Sequence, residues 1–366
     1  MSASGPDASA TLRPRGLAVR ARLWPGGGEP AVPDATVVVG VDGLVSAYGP
    51  AAAVHLPDGV PVVTGGWVGP GVADAHAHLA FGPPGAMLAG GVLAVRDLGA
   101  PLDDARAVRD PNGTPAVAVS GPILTAPGGY PSRSWGARGF ARFLGSPAEA
   151  ARAVHTLAGA GVDVVKLALE PAGGLPVPTL EVARAVVDTA HDEGLAVVCH
   201  ALTVEMVARA LEAGVDELAH LPTERLPTHL VAQLALDEVQ VVSTMHALIA
   251  DGDEQAAMAV RANARALVGS GVRVVYGTDL GNTDTAPGVD PDELALLAEA
   301  GLDAEGALRA ATEGAAAVAG LAGRHQSRVQ VGEPARMVVL AGDPLAEPKH
   351  WSAPVAVVHG AEVSYL

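Results

Sequence analysis

The rhythm of apolar and polar positions changes twice along this chain. From about Leu17 to Thr64, short alternating or apolar runs (LAVRARL, ATVVVGVDG, LVSAYG) are broken by Gly and Pro, as in the strands of a small sheet. The same style returns at the far end in Ala335–Ala341 (ARMVVLA), Val355–His359 (VAVVH) and EVSYL. Between about Val68 and Leu321, short apolar runs alternate with amphipathic helical stretches, the pattern of a parallel α/β architecture.

In this middle region strands are predicted at 71–76, 92–96, 116–120, 162–168, 195–200, 216–220, 239–244 and 272–277. Helices such as 147–160, 179–193 and 203–213 lie between them, with Gly159, Gly161, Gly194 and Gly214 as stop signals. Eight strands in a stretch of this length match a (β/α)8 TIM barrel. The expected fold class is therefore α/β: a barrel over residues 67–324, with a small β-sandwich domain formed from both termini, 10–66 and 325–366.

Composition narrows the partners. The chain has 366 residues and is 49% hydrophobic, enough for a large core. It has no apolar run of about 20 residues, so no transmembrane span is expected. The opening MSASGPDASATLRPRG lacks the layout of a secretory signal and reads as a flexible lead-in. A single cysteine, Cys199, fits a reducing cytoplasm. A net charge of −17 argues against nucleic acid and anionic membrane. The expected partner is a small-molecule substrate, with self-association into a homo-oligomer left open.

The strand ends carry the candidate chemistry. In a barrel of this kind catalytic groups collect at the C-terminal ends of the strands. Strand one ends in His76 and His78, strand five in His200, strand six in His220, and strand eight runs into Asp279. Imidazoles and a carboxylate suit zinc or a similar divalent ion. The chain writes nearly all its positive charge as arginine, its lysines being Lys166 and Lys349, yet Lys166 stands in the apolar strand-four run VDVVKLAL. Burial would favour its neutral amine. That amine can add carbon dioxide to become a carbamate, an anionic ligand able to bridge two ions. The alternative is a lysine paired with Asp163 or Glu170.

Taken together, GWVGPGVADAHAHL, GVLAVRDLGA, the strand-four lysine, VVCHA, ELAHL, VRVVYGTDLG, DPDELALLAEAGLDAEGALRAAT and GEPARMVVLAGDPL resemble the amidohydrolase superfamily, in its imidazolonepropionase- and prolidase-like branch. The resemblance runs along nearly the whole chain. It implies one divalent ion, zinc by preference, on His76, His78, Asp279 and carboxylated Lys166, and a second on the same lysine with His200 and His220. A hydroxide bridging the two would be the nucleophile. Asp279 would act as general base and then general acid. The implied reaction is hydrolysis of a C–N bond in an amide, lactam or cyclic amide. The alternatives are a prolidase-like dipeptidase or carboxypeptidase and a mononuclear deaminase of a heterocycle. Lys166 argues against the deaminase.

The chain departs from the peptidase-like relatives where they hold a substrate carboxylate. It has Gly128-Gly129-Tyr130 for Gly-Gly-His and His200-Ala201-Leu202 for His-Ala-Tyr, while Leu221 replaces a glycine and should narrow the mouth. With Trp, Tyr and Phe numbering only four, four and three, the gathering of Tyr130, Trp135, Phe140 and Phe143 with Arg133 and Arg138 reads as a substrate-facing wall. A self-packed surface loop is the alternative. Tyr130, Trp135 and His246 are the candidate substrate contacts, with Asn282 and Asp284 as further polar groups. Cys199 is expected in the layer between barrel and helices, and Arg96-Asp97 as a structural ion pair.

Overall fold

The computed structural model describes residues 16–109, 115–132, 134–325 and 327–365. The proposed lead-in, residues 10–15 of the expected N-terminal sheet, and Arg133 lie outside the described residues. Among the described residues seventeen strands form three sheets. The first contains β1 (Leu17–Leu23), β2 (Val32–Val39), β3 (Val45–Pro50) and β4 (Val62–Pro70) from the start of the chain. The parallel strands are β5 (Val72–Ala77), β6 (Val92–Asp97), β7 (Ala116–Val119), β8 (Ile123–Thr125), β9 (Ala141–Phe143), β10 (Val165–Ala168), β11 (Val197–His200), β12 (Glu217–Leu218), β13 (Gln240–Val242) and β14 (Val274–Val275). The chain closes with β15 (Arg336–Leu340), β16 (Ala356–His359) and β17 (Glu362–Tyr365).

The terminal strands make one sheet in the order β17-β16-β15-β4-β1-β2-β3. It curls until the start of its edge strand β3 meets the segment that leads into β15, with an antiparallel bridge between Leu44 and Pro334 and Val45 N–H donating to Glu333 O at 2.9 Å. The sandwich anticipated from the termini is thus a single continuous sheet folded over one core, to which Val19, Val37, Val68, Met337 and Val358 contribute.

In the barrel, β5-β6-β7 and β8-β10-β11-β12-β13-β14 supply eight strand positions, with β9 added beside β8. β7 bonds to β6 and β8 to β10, so two short strands share the third position across Ser120-Gly121-Pro122. At Gly121, φ is +69°, a turn glycine accommodates without a Cβ clash. The ring closes where Ala75 N–H donates to Tyr276 O and Asp279 N–H to His76 O (2.8 Å).

The surrounding helices start where the sequence places caps. Ser146, Thr179 and Thr203 each accept a first-turn N–H at Pro147–Gly159, Leu180–Asp192 and Val204–Ala213, and Gly214 ends the last of these in a left-handed conformation. β4 and β5 are separated by Gly71 alone, so the sheet feeds directly into the first barrel strand. The joint is filled by Trp24, Trp67 and Trp351, the last two edge to face at 5.6 Å. Among the described residues no helix is long and apolar enough to cross a membrane.

Candidate metal centre

The barrel brings five side chains at or just past strand ends, His76, His78, His200, His220 and Asp279, together with Lys166 from within β10, and all six are buried. Asp279 is the hub. Its Oδ1 lies 3.2 Å from His76 Nε2 and 3.3 Å from His78 Nε2, and its Oδ2 lies 3.6 Å from His220 Nδ1. The His76 and His78 rings are 5.3 Å apart, His76 and His220 4.6 Å, and His200 and His220 4.7 Å. The register of β5 against β6 shifts between Asp74 and Ala77, so strict alternation does not run through the His-x-His stretch.

Burial sets the protonation of this group. It pushes the His76 and His220 rings well below their ordinary range, against the opposing pull of Asp279, and so favours the form in which an imidazole can act as a ligand. Burial works the other way on Asp279, but the surrounding imidazoles outweigh it and hold the carboxyl well below its usual value. Lys166 is brought down to about 7, chiefly by burial, and Asp279 opposes the shift. The ion pair considered for Lys166 does not form. Asp163 is held by Arg109 at 3.0 Å and Arg324 at 3.2 Å, and Glu170 Oε2 lies 2.9 Å from His200 Nε2.

The donor set suits a bound cation. Among the described residues His76 Nε2, Lys166 Nζ and Asp279 Oδ1 are buried and have no hydrogen-bond partner, whereas buried polar atoms are normally paired. Ligand atoms of His76, His78 and Asp279 lie within 4.8 Å of one another. A second trio, His246, Asp290 and Asp292, meets the same distance. There His246 Nδ1 is already hydrogen-bonded to Asp290 at 2.6 Å and Asp292 is exposed, so an ion pair accounts for it.

A cavity of about 270 Å³ opens onto the centre between Tyr130, Glu170, His200, Leu202, His220 and Asp279. Hollows of about 320 and 470 Å³ elsewhere hold none of the six centre residues, so volume alone does not locate the site. Tyr130 stacks on His200 at 4.9 Å and 29°. Trp135 lies 4.8 Å from the His78 ring, and its Nε1–H donates to Tyr130 Oη. Asn282 lines the cavity as well.

Other expected contacts fall elsewhere. His246 is turned to Asp290 and is not among the lining residues, and Phe143 is exposed on β9. Leu221 is fully buried in the main apolar core, so it does not narrow the mouth; Leu202 forms the wall instead. Cys199 packs in that same core. Arg96 and Asp97 do not pair with each other. Arg96 pairs with Glu217 inside the barrel, and Asp97 accepts Leu79 N–H.

Three residues whose contacts with this group the sequence did not disclose lie against it or beside it. Asp74 accepts from His76 N–H, Thr278 N–H and Thr278 Oγ1. Burial lifts its pKa to about 7 against those three hydrogen bonds. Glu170 meets His200, and Thr244 Oγ1 lies 3.0 Å from His220 Nδ1. A carboxylate inside the apolar run GVADAHAHL was a visible signal for Asp74, since a buried charge needs partners. Nothing local marks Glu170 or Thr244.

A closed (β/α)8 barrel with a curled sheet beside it and histidines, a lysine and an aspartate at its strand ends is the architecture of a metal-dependent hydrolase. The amidohydrolase family model matches residues 67–361, and the chain belongs to that family. It is therefore a metal-dependent hydrolase of amide carbon–nitrogen bonds. An uncharacterised protein of Mycobacterium tuberculosis is 30% identical over 341 residues, covering 82% of this chain and 85% of its own. A Bifidobacterium longum protein described as a candidate prolidase superposes with a TM-score of 0.82 at 25% identity, over 97% of this chain and 96% of that one. A Xaa-Pro dipeptidase with bound methionine gives a TM-score of 0.80 at 19% identity, over 96% and 100%.

Proposed function

We propose that this chain hydrolyses the C–N bond of an amide, lactam or cyclic amide in a small-molecule substrate, using two divalent ions, zinc by preference. His76, His78 and Asp279 would hold one ion, His200 and His220 the other, and Lys166 would join them as its carbamate. The observation that carries this reading is Lys166. Its amine is buried, brought to about 7 and without a hydrogen-bond partner among the described residues, on a strand beside a histidine cluster. A neutral amine is the form that adds carbon dioxide, and the carbamate gives the buried position a reason.

Bound divalent ions would acidify water and polarise the scissile carbonyl. The rest falls to the chain. Asp279 is ionised and in contact with three of the rings, placed to take a proton from the attacking water and return it to the leaving nitrogen. Tyr130 and Leu202 give the cavity an aromatic and aliphatic wall for the substrate body, and Trp135, outside that lining, donates its Nε1–H to Tyr130 Oη. By the family resemblance Tyr130 and Leu202 stand where peptidase-like relatives carry carboxylate-holding groups, which favours a non-peptide amide. The structural likeness to a Xaa-Pro dipeptidase keeps a dipeptidase as the second reading. The free buried thiol of Cys199 suits a cytoplasmic setting.

Metal analysis of protein loaded in the presence of bicarbonate tests the centre. About two ions per chain, with a carbamate carbon signal from 13C-labelled carbon dioxide that is absent in Lys166→Ala, supports the reading. One ion and no carbamate points to a deaminase-like site, and no ion overturns it. An activity panel of lactams, N-acyl amino acids, dipeptides and aminated heterocycles then ranks the substrate classes.

A further inference from the structure

Thr244 breaks three local rules at once. It is the residue before the helix Met245–Ala250, a position where threonine ordinarily has extended backbone and caps the helix with its own hydroxyl. Here its backbone is left-handed, φ 44° and ψ 33°, a conformation that costs a β-branched residue steric strain. Its side chain makes no cap hydrogen bond. The hydroxyl turns instead to the ring of His220, Oγ1 lying 3.0 Å from Nδ1, and both residues are buried.

The helix still needs its first N–H groups satisfied, because a buried helix start without partners is unfavourable. Glu293, fully buried and drawn from a distant helix, supplies that acceptor. Its Oε2 takes His246 N–H at 2.6 Å, and Met245 N–H also points at the carboxylate. With capping taken over by Glu293, the Thr244 hydroxyl is free for another task, and the strained backbone aims it.

We infer that Thr244 is a positioning residue for His220. Its Oγ1 accepts Nδ1–H, which fixes the ring orientation and the tautomer that leaves the Nε2 lone pair available to an ion. Glu293, by accepting at the helix start in its place, leaves the Thr244 hydroxyl free for this contact. Partners of this kind behind a metal-binding histidine are worth about 10–100-fold in metal affinity. The inference rests on the reading of His220 as a ligand.

The test uses full-length protein and three variants, T244S, T244A and T244G. Its readouts are zinc affinity by chelator competition, the visible absorption of the cobalt(II)-loaded protein, and the thermal midpoint of the metal-free form. T244A should weaken binding of one ion by about 10–100-fold and alter the cobalt spectrum, and T244S, which keeps the hydroxyl, should restore both. T244G should lose affinity like T244A yet melt no lower than it, because glycine relieves the left-handed strain. Wild-type affinity and spectrum in T244A and T244G would overturn the inference. So would a T244S that behaves like T244A, since methyl packing and not the hydroxyl would then hold the ring. A wild-type protein that binds no divalent ion would sink the metal reading and this inference with it.

Discussion

Thr278 Oγ1 donates a 2.6 Å hydrogen bond to Asp74 Oδ2, joining the middle of the first barrel strand to the segment that follows the last, 204 positions away. Asp74 Oδ1 takes Thr278 N–H at 3.1 Å and His76 N–H at 3.0 Å. One carboxylate thus gathers the backbone beside His76 and the residue immediately before Asp279, at the seam where the barrel closes. Asp279 itself is left-handed, with φ of 53°, so its placement depends on neighbours that hold the turn.

Asp74→Ala should therefore damage both stability and metal retention. It leaves buried donors without an acceptor, each worth about 1–3 kcal/mol, so a loss on the order of 3 kcal/mol is expected. Asp74→Asn keeps one acceptor oxygen and should lose less. Urea denaturation of the metal-free protein and metal content after dialysis measure the two effects. A D74A protein within about 0.5 kcal/mol of wild type, the range of ordinary surface substitutions, would show that the seam holds without this carboxylate.

Glu170 offers a more selective perturbation. Burial works to raise its pKa, but the hydrogen bond with His200 outweighs it and keeps the carboxyl ionised. A carboxylate behind a histidine fixes the ring tautomer and raises its basicity as a ligand. Glu170→Ala should lower metal affinity by about 10–100-fold, and Glu170→Gln, which retains an acceptor oxygen, by less. Chelator competition on both variants checks this. Equal affinities across wild type, E170Q and E170A would assign Glu170 to the loop alone, where it also accepts Ala172 N–H at 2.6 Å.

How far the sequence exposed this site follows from the range of each interaction. His76, His78, His200 and His220 were legible because each terminates an apolar strand, and strand ends in a parallel barrel converge whatever the loops do. Lys166 stood out because arginine is used almost everywhere else. The groups that orient these residues were not legible. Thr278, Glu170 and Thr244 reach their partners across the barrel or between neighbouring strands, and no local pattern encodes such a contact. The same limit explains Arg96, whose adjacent Asp97 was the obvious partner in sequence. Its guanidinium instead crosses the barrel interior to Glu217, with NH1 at 3.1 Å from Oε2.

That Arg96–Glu217 pair makes a third prediction. Both residues are buried, and Arg96 also donates to Ala75 O at 2.8 Å and Val318 O at 3.0 Å. Removing one partner strands a charge in the barrel interior, and Arg96→Ala or Glu217→Ala should each cost about 3–5 kcal/mol. Replacing both with apolar residues of similar volume, R96M with E217L, should recover much of the loss, since desolvation of an ion pair offsets most of its attraction. A double-mutant cycle read by chemical denaturation separates these cases. Strictly additive losses in the double variant would show that the two side chains act independently.

His325 gives the fold a contribution to stability that acid should remove. Its ring is buried, and its Nε2–H donates at 3.1 Å to the carbonyl of Gly71, the single residue between the curled sheet and the first barrel strand. Burial, aided by the Arg336 charge, brings its pKa down to about 4 despite that hydrogen bond. In the unfolded chain the same imidazole titrates near about 6.5. Between these values the unfolded state binds more protons than the folded one, so stability rises with pH across the window. The contribution is full above about 6.5 and is lost as pH falls towards about 4, with an upper limit of roughly 3 kcal/mol. His325→Gln keeps a donor for Gly71 O and cannot titrate. The stability of wild type relative to H325Q, measured on metal-free protein so that metal release does not intrude, should fall by up to that amount as pH drops from about 7 to 4. Parallel curves for the two proteins would mean that the buried imidazole does not control the acid transition.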